Sequence, residues 1–208
     1  MLQVSNIGEE RHTLQSFVGR MMNHQAELMT WRGELPTHLA AKDTAISEGA
    51  RAWSDVQWVQ RQCFDIELRF NHVMLVLHRP FFARTSFSTP FYSSDMARGV
   101  CLGAARATIL LSYKVLVQDH NIYDESWSCY YHRVLAATLV VLASTHPSRP
   151  REEQMSLFDL CIKSYGIFGS MPSDASTKGF ELSKSAVALL STGPSRSNVN
   201  IDAMLDAE

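Results

Sequence analysis

Leu68-Arg69-Phe70-Asn71-His72-Val73-Met74-Leu75-Val76-Leu77-His78-Arg79-Pro80-Phe81-Phe82 is the stretch on which the fold turns. Reading backwards, Ile66, Cys63, Val59 and Val56 continue the apolar stripe formed by Phe70, Val73, Met74 and Leu77, in steps of three and four. Arg61, Asp65 and Arg69 lie off that stripe. This is the period of a helix with one buried face, not the alternation of a strand. The spacing predicts a helix over 54–78, with Ser54 as N-cap and Asp55 in the first turn, where a negative charge suits the helix dipole. Pro80 should end it, because proline has no N–H to give and its ring crowds the preceding turn.

The same period recurs on both sides. Toward the N-terminus, Leu14, Phe17, Val18, Met21, Met22, Leu28 and Met29 predict a helix over 9–31 that stops before Pro36. Residues 33–51 mix Pro, Gly, Thr and Lys and read as a surface connection. Residues 81–94 read as a loop pinned by Phe81, Phe82, Phe87 and Phe91. A third helix should begin near Ser94, with a narrow face of small residues (Cys101, Ala104, Ala105, Thr108, Ser112) that admits a close neighbour. A fourth, over 127–144, is apolar on most sides through Val134, Leu135, Leu139, Val140, Val141 and Leu142, and is expected to be central. Helices over 152–170 and 175–190 follow the break at His146-Pro147-Ser148-Arg149-Pro150, and Gly193-Pro194 stops the last. No stretch demands a sheet. The expectation is an all-α, irregular array of about six helices, with a helical domain over 1–192 and a mobile tail over 193–208.

Composition narrows the function. Of 208 residues, 46% are hydrophobic and 19% charged, enough apolar material for one core and too much for a disordered chain. The net charge of −2 gives the chain no overall attraction to phosphate, which argues against self-sufficient DNA binding. The four cysteines, Cys63, Cys101, Cys129 and Cys161, form no C-x-x-C pair and read as buried thiols in a reducing compartment. There is no secretory signal pattern at the N-terminus. Polar residues such as Thr138, Ser144 and His146 interrupt the apolar runs before the roughly 18 residues that span a bilayer. A soluble, intracellular chain is expected.

Catalytic signatures are absent from the pattern. No two of the eight histidines lie four apart on one helix, so neither a metal nor another cofactor is expected. The glycines follow no strand, and no phosphate-binding loop or nucleophile elbow is present. Two local features carry character. His78-Arg79-Pro80 reads as a helix end in which His and Arg favour the negative pole, or in which Arg79 turns inward to a carboxylate or to loop carbonyls. Trp127, Tyr130, Tyr131 and His132 could line a pocket for a small hydrophobic ligand, although aromatic residues at helical spacing are more often core.

Three stretches taken in order resemble a known family. Trp31-Arg32-Gly33-Glu34-Leu35-Pro36 with Leu39 is similar to a "W…LP..L" element. The apolar helix ending in His78-Arg79-Pro80-Phe81-Phe82 resembles an "hRP" segment, and Cys101-Leu102-Gly103-Ala104-Ala105 resembles a "C..AA" helix start. Together they resemble the middle homology region of fungal zinc-cluster (Zn2Cys6) transcription factors, over about 31–190. The resemblance implies an all-helical regulatory domain, similar to the C-terminal part of that region. Such a domain restrains or transmits activation, often senses a metabolite, and works in the nucleus, with the cytoplasm as the alternative.

The family's six-cysteine cluster, basic linker and heptad helix have no counterpart here. Its earlier half finds no match ahead of Glu9. Direct DNA binding by this chain is therefore not expected, and the family has no catalytic residues to carry over. Protein partners or self-association are expected, with control of metabolic or secondary-metabolite genes. The alternatives are a repurposed helical-pocket cyclase or isomerase, with Tyr131 and His132 as its candidates, and a structural subunit of a chromosome-associated complex.

Overall fold

The computed structural model describes residues 3–39, 57–82, 92–118, 128–145, 149–171 and 174–191. Its order is α1 (Gln3–Gly33), α2 (Gln57–Phe82), α3 (Ser94–Tyr113) continued by a π-helical turn (Lys114–Gln118), α4 (Ser128–Ser144), α5 (Arg151–Ser170) and α6 (Asp174–Ser191). The described residues contain no strand, and the all-α array of six helices is the observed fold. The expected Ser54 cap, the pins at Phe87 and Phe91, and the tail over 193–208 lie outside the described residues.

Helix α3 begins where its chemistry dictates. The Ser93 side chain accepts a hydrogen bond from the Met96 N–H, and Asp95 sits in the first turn. The small face expected for it is buried: Cys101, Ala104, Ala105, Thr108 and Ser112 are all enclosed. Small side chains let α2, α4 and α5 all pack on this one helix. Helix α4, expected to be central, does reach four others, α2, α3, α5 and α6. Its Val134, Ala137, Thr138 and Val141 are fully buried.

A core made of helices must also bury hydroxyls. Thr108, Thr138, Ser144 and Ser164 each donate to the carbonyl four residues earlier, at 2.8 to 2.9 Å, so the exchange of water for protein is local.

The chain directions follow from the contacts. Arg98 Nε donates to the Phe82 carbonyl at 3.4 Å, and Cys101 lies against Leu75, so the start of α3 runs back along the end of α2. Arg106 reaches Ser156, and further on Tyr113 reaches Gly166 and Lys163, so α3 and α5 run parallel. Helices α5 and α6 form a hairpin in which Gly179 lets the Phe168 ring approach: a Cβ there would stand 2.8 Å from the ring.

Three sequence expectations are corrected. First, α2 does not stop before Pro80 but runs through it to Phe82. A proline this close to the end removes only one ladder bond, and the carbonyl it leaves, that of Val76, lies on a solvent-facing side. Phe81 is therefore helical and buried, not a loop pin.

Second, the α1 stripe is only partly core. Val18 and Met21 are buried and Leu28 packs on the core, but Phe17, Met22 and Met29 are exposed, because α1 is flanked mainly by α2. Its seam follows heptad spacing (Val18, Met21, Gln25, Leu28, Arg32), which leaves the flanking positions at the margin.

Third, Ser94–Gln118 is long and apolar enough to cross a bilayer by length and composition, although no unbroken apolar run suggested it. Its Ala, Cys and Leu outweigh the interspersed Ser and Thr. Over half of that window, 56%, is buried by neighbouring helices, as befits the helix on which the others pack.

Candidate functional site

At the end of α2 Arg79 sits as the helix-end reading has it, but His78 does not. His78 is fully buried, whereas Arg79 and Pro80 face solvent. Arg79 is thus the cation of the last turn, and His78 contributes no charge there. Burial lowers the His78 imidazole from its usual value, which favours the neutral form. Its Nδ1 forms a hydrogen bond with the Tyr92 hydroxyl just ahead of α3, and the two rings lie 5.7 Å apart. Nε2 has no hydrogen-bond partner among the described residues. Burial also raises the Tyr92 hydroxyl. Around this pair Phe81, Tyr92, Ala97, Val18 and Met21 form a small second core, with Phe81 and Tyr92 edge to face at 5.4 Å. The three-residue motif is therefore a joint that ties α1, α2 and α3 together. The helical spacing of Leu75, His78 and Phe82 already put His78 on the inner side; its polarity masked that signal.

The Trp31–Pro36 element makes a second joint. Arg32 donates from Nε and Nη2 to the two carboxylate oxygens of Glu67, at 3.1 and 3.0 Å. Glu67 is only 5% exposed, and the guanidinium also stands 4.5 Å from the Phe70 ring centroid. Below it the Asn71 side chain donates to the Glu67 carbonyl at 2.9 Å, and Cys63 Sγ donates to the His38 carbonyl at 3.2 Å. Trp31 itself is largely exposed, while Leu35 and Leu39 are half-buried. The sequence reading treated Trp31 and Leu35 as the features of this motif and missed Arg32. An available signal was that Arg32 lies on the α1 seam, at heptad spacing from Val18.

The candidate pocket residues divide. Trp127 lies outside the described residues. Tyr130 packs on Phe64 of α2 at 5.1 Å, and Tyr131 meets Phe168 of α5 edge-on at 5.7 Å. His132 is exposed. Consecutive positions on a helix turn by about 100°, so Tyr130 and Tyr131 face different helices, while the Tyr131 and His132 rings meet edge-on at 5.2 Å. Both tyrosine rings are engaged in packing. Trp58, near the start of α2, is 57% exposed.

The outer side of α2 is a charged region that matches no sequence motif. Asp65 takes Arg69 at 2.7 Å along the same helix and Arg133 of α4 at 2.8 Å. Between and beyond them stand His72, Val73, Val76 and Arg79. The His72 imidazole is held below its usual range, first by burial and then by the charges of Arg133 and Arg79. Among the described cysteines, Cys63, Cys101 and Cys161 are buried free thiols. Burial pushes Cys101 up to about 11 and Cys161 to about 12, so neither offers a thiolate nucleophile near neutral pH. No group of three His, Cys, Asp or Glu side chains among the described residues could hold a metal ion.

The chain is 28% identical, over 165 residues, to the terreic acid cluster-specific transcription factor atF of Aspergillus terreus. The alignment covers 70% of this chain and 25% of that protein, so the chain spans about a quarter of its relative's length. No family model matches the chain. No solved structure matches it either.

Proposed function

We propose that this chain is a transcription-regulatory module of the fungal zinc-cluster type, working in the nucleus through contacts with other proteins or a small hydrophobic ligand rather than by reading DNA. Its targets are metabolic or secondary-metabolite genes. The observation that carries this reading is the similarity to a cluster-specific transcription factor over most of the chain. The motifs behind the family resemblance add support of a different kind. Arg32 clasps Glu67 and His78 meets Tyr92, so the residues that resemble the family are those that join the first three helices. In a regulatory array, the joints between helices are where a contact at one end can bias the arrangement at the other.

The test is made in the native host. Deleting and overexpressing the gene while sequencing transcripts should change a set of biosynthetic genes several-fold, and a fluorescent fusion should accumulate in nuclei. Unaltered transcripts in both strains, together with a cytoplasmic fusion, would overturn the reading.

A further inference from the structure

On the outer side of α2, cations surround a short apolar stripe. Arg69, Val73, Val76 and Arg79 follow one another at three- and four-residue steps and so share a face, with His72 at its edge. Val73 is 41% exposed and Val76 is 52% exposed. Scattered surface valines are ordinary; the charge around these two is not balanced. Among the described residues Asp65 is the one carboxylate that pairs with this group, and Arg69 and Arg133 share it. Arg79 adds a further exposed cation, paired with no carboxylate among the described residues. The lowered His72 imidazole, which owes part of its shift to Arg133 and Arg79, registers the same positive field.

Three occupants can be weighed by chemistry. Nucleic acid would neutralise the arginines but set both valines against sugar and phosphate. A second copy on a twofold axis would bring the same patch against itself, cation facing cation. An acidic amphipathic helix meets both demands, covering the valines with its apolar face and offering carboxylates to the flanking guanidiniums.

We propose that the face formed by Arg69, Val73, Val76 and Arg79, with Arg133 of α4, docks an acidic amphipathic helix of a partner protein. This rests on the regulatory reading and deepens it by giving the partner's chemistry. Its assay reads binding alone, so it can fail while the transcript experiment succeeds, and the reverse.

The probe is a fluorescein-labelled synthetic peptide of about 20 residues, with Leu at i, i+3, i+4 and i+7 of each repeat and Glu elsewhere. Fluorescence anisotropy against the purified full chain should show saturable binding that weakens as salt rises. Arg79→Glu and Val76→Asp should each weaken it about tenfold or more, with helix content by circular dichroism unchanged because both positions are exposed. Met29→Asp, an exposed apolar position on α1, should bind as the parent does. A peptide with Lys in place of Glu should not bind.

Equal binding by the parent chain, Arg79→Glu and Val76→Asp would overturn the proposal. So would a DNA duplex that binds more tightly than the peptide and is lost in Arg79→Glu, which gives the face to nucleic acid. A dimer in sedimentation that Val76→Asp dissolves would give it to a second copy, and likewise overturn it.

Discussion

Arg32 at the end of α1 holds both carboxylate oxygens of Glu67 on α2, and its guanidinium stands 4.5 Å from the Phe70 ring centroid. The pair closes one end of the α1–α2 contact. The other end is closed by the small core around His78 and Tyr92. Between these joints Leu28 packs on the core, while the flanking Met22 and Met29 face outward.

Replacing Arg32 with Ala removes the fork while Glu67 stays buried. Breaking a fully buried pair costs about 3–5 kcal/mol; Arg32 is 29% exposed, so a loss of about 2 kcal/mol is expected in urea unfolding. Arg32→Lys should recover only part of it, since an ammonium cannot reproduce two parallel bonds. A lysine variant as stable as the parent would show that charge alone, without the fork, makes the joint.

Stability should fall as the solution is acidified from pH 7.5 toward 5.5. His78 and His72 both have folded-state values below the ordinary imidazole value. Above about pH 6.5 both are neutral in the folded and unfolded chains, and their contribution is fully present. Below that the unfolded chain takes up protons that the folded chain refuses, so the contribution is lost with falling pH, at most about 1.4 kcal/mol per pH unit for each histidine. Urea midpoints should show this slope, and His78→Gln should flatten it. An unchanged slope in that variant would mean that His78 is not the group being titrated.

Gly179→Ala should destabilise the chain although alanine favours helix. Its Cβ would lie 2.8 to 3.0 Å from the ring of Phe168, itself 1% exposed and in contact with Tyr131. Overpacking of this kind costs about 1–3 kcal/mol, against roughly 1 kcal/mol gained in helix propensity. Thermal unfolding should therefore show a lower midpoint; a raised midpoint would mean that the ring can move aside at no cost.

Tyr131 and His132 are neighbours with opposite expected effects. Tyr131→Ala empties a place in the main core against Phe168 and should cost about 3–5 kcal/mol. His132→Ala alters an exposed position and should stay within about 0.5 kcal/mol. Denaturant titration of both variants decides it. Comparable losses would imply that the edge contact between the His132 and Tyr131 rings contributes more than the exposure of His132 suggests.

Legibility in the sequence varied with the range of the interaction. The helices could be read because their period is set by residues three and four apart: α4, α5 and α6 start and stop within a residue or so of the positions expected from apolar spacing, and α3 starts at the expected Ser94. The run through Pro80 escaped that reading, because a proline near a helix end removes only one bond and the buried Phe81 and half-buried Phe82 lie just beyond it. His78 and Arg79 were assigned by residue type, which favours both at a helix end. The spacing of Leu75, His78 and Phe82 marked His78 as the inward residue, but the partner that receives its imidazole, Tyr92, lies fourteen positions along and no local period points to it.

The sequence alone determined that the chain is a helical array, and where its helices lie, because hydrogen bonding and apolar period are local matters. Tertiary structure decided the partners. It set Arg32 on Glu67, turned Tyr130 toward α2 and Tyr131 toward α5, and left Val73 and Val76 uncovered among arginines. Those outcomes depend on which helix faces come together across tens of residues, and no periodicity within one helix encodes that choice.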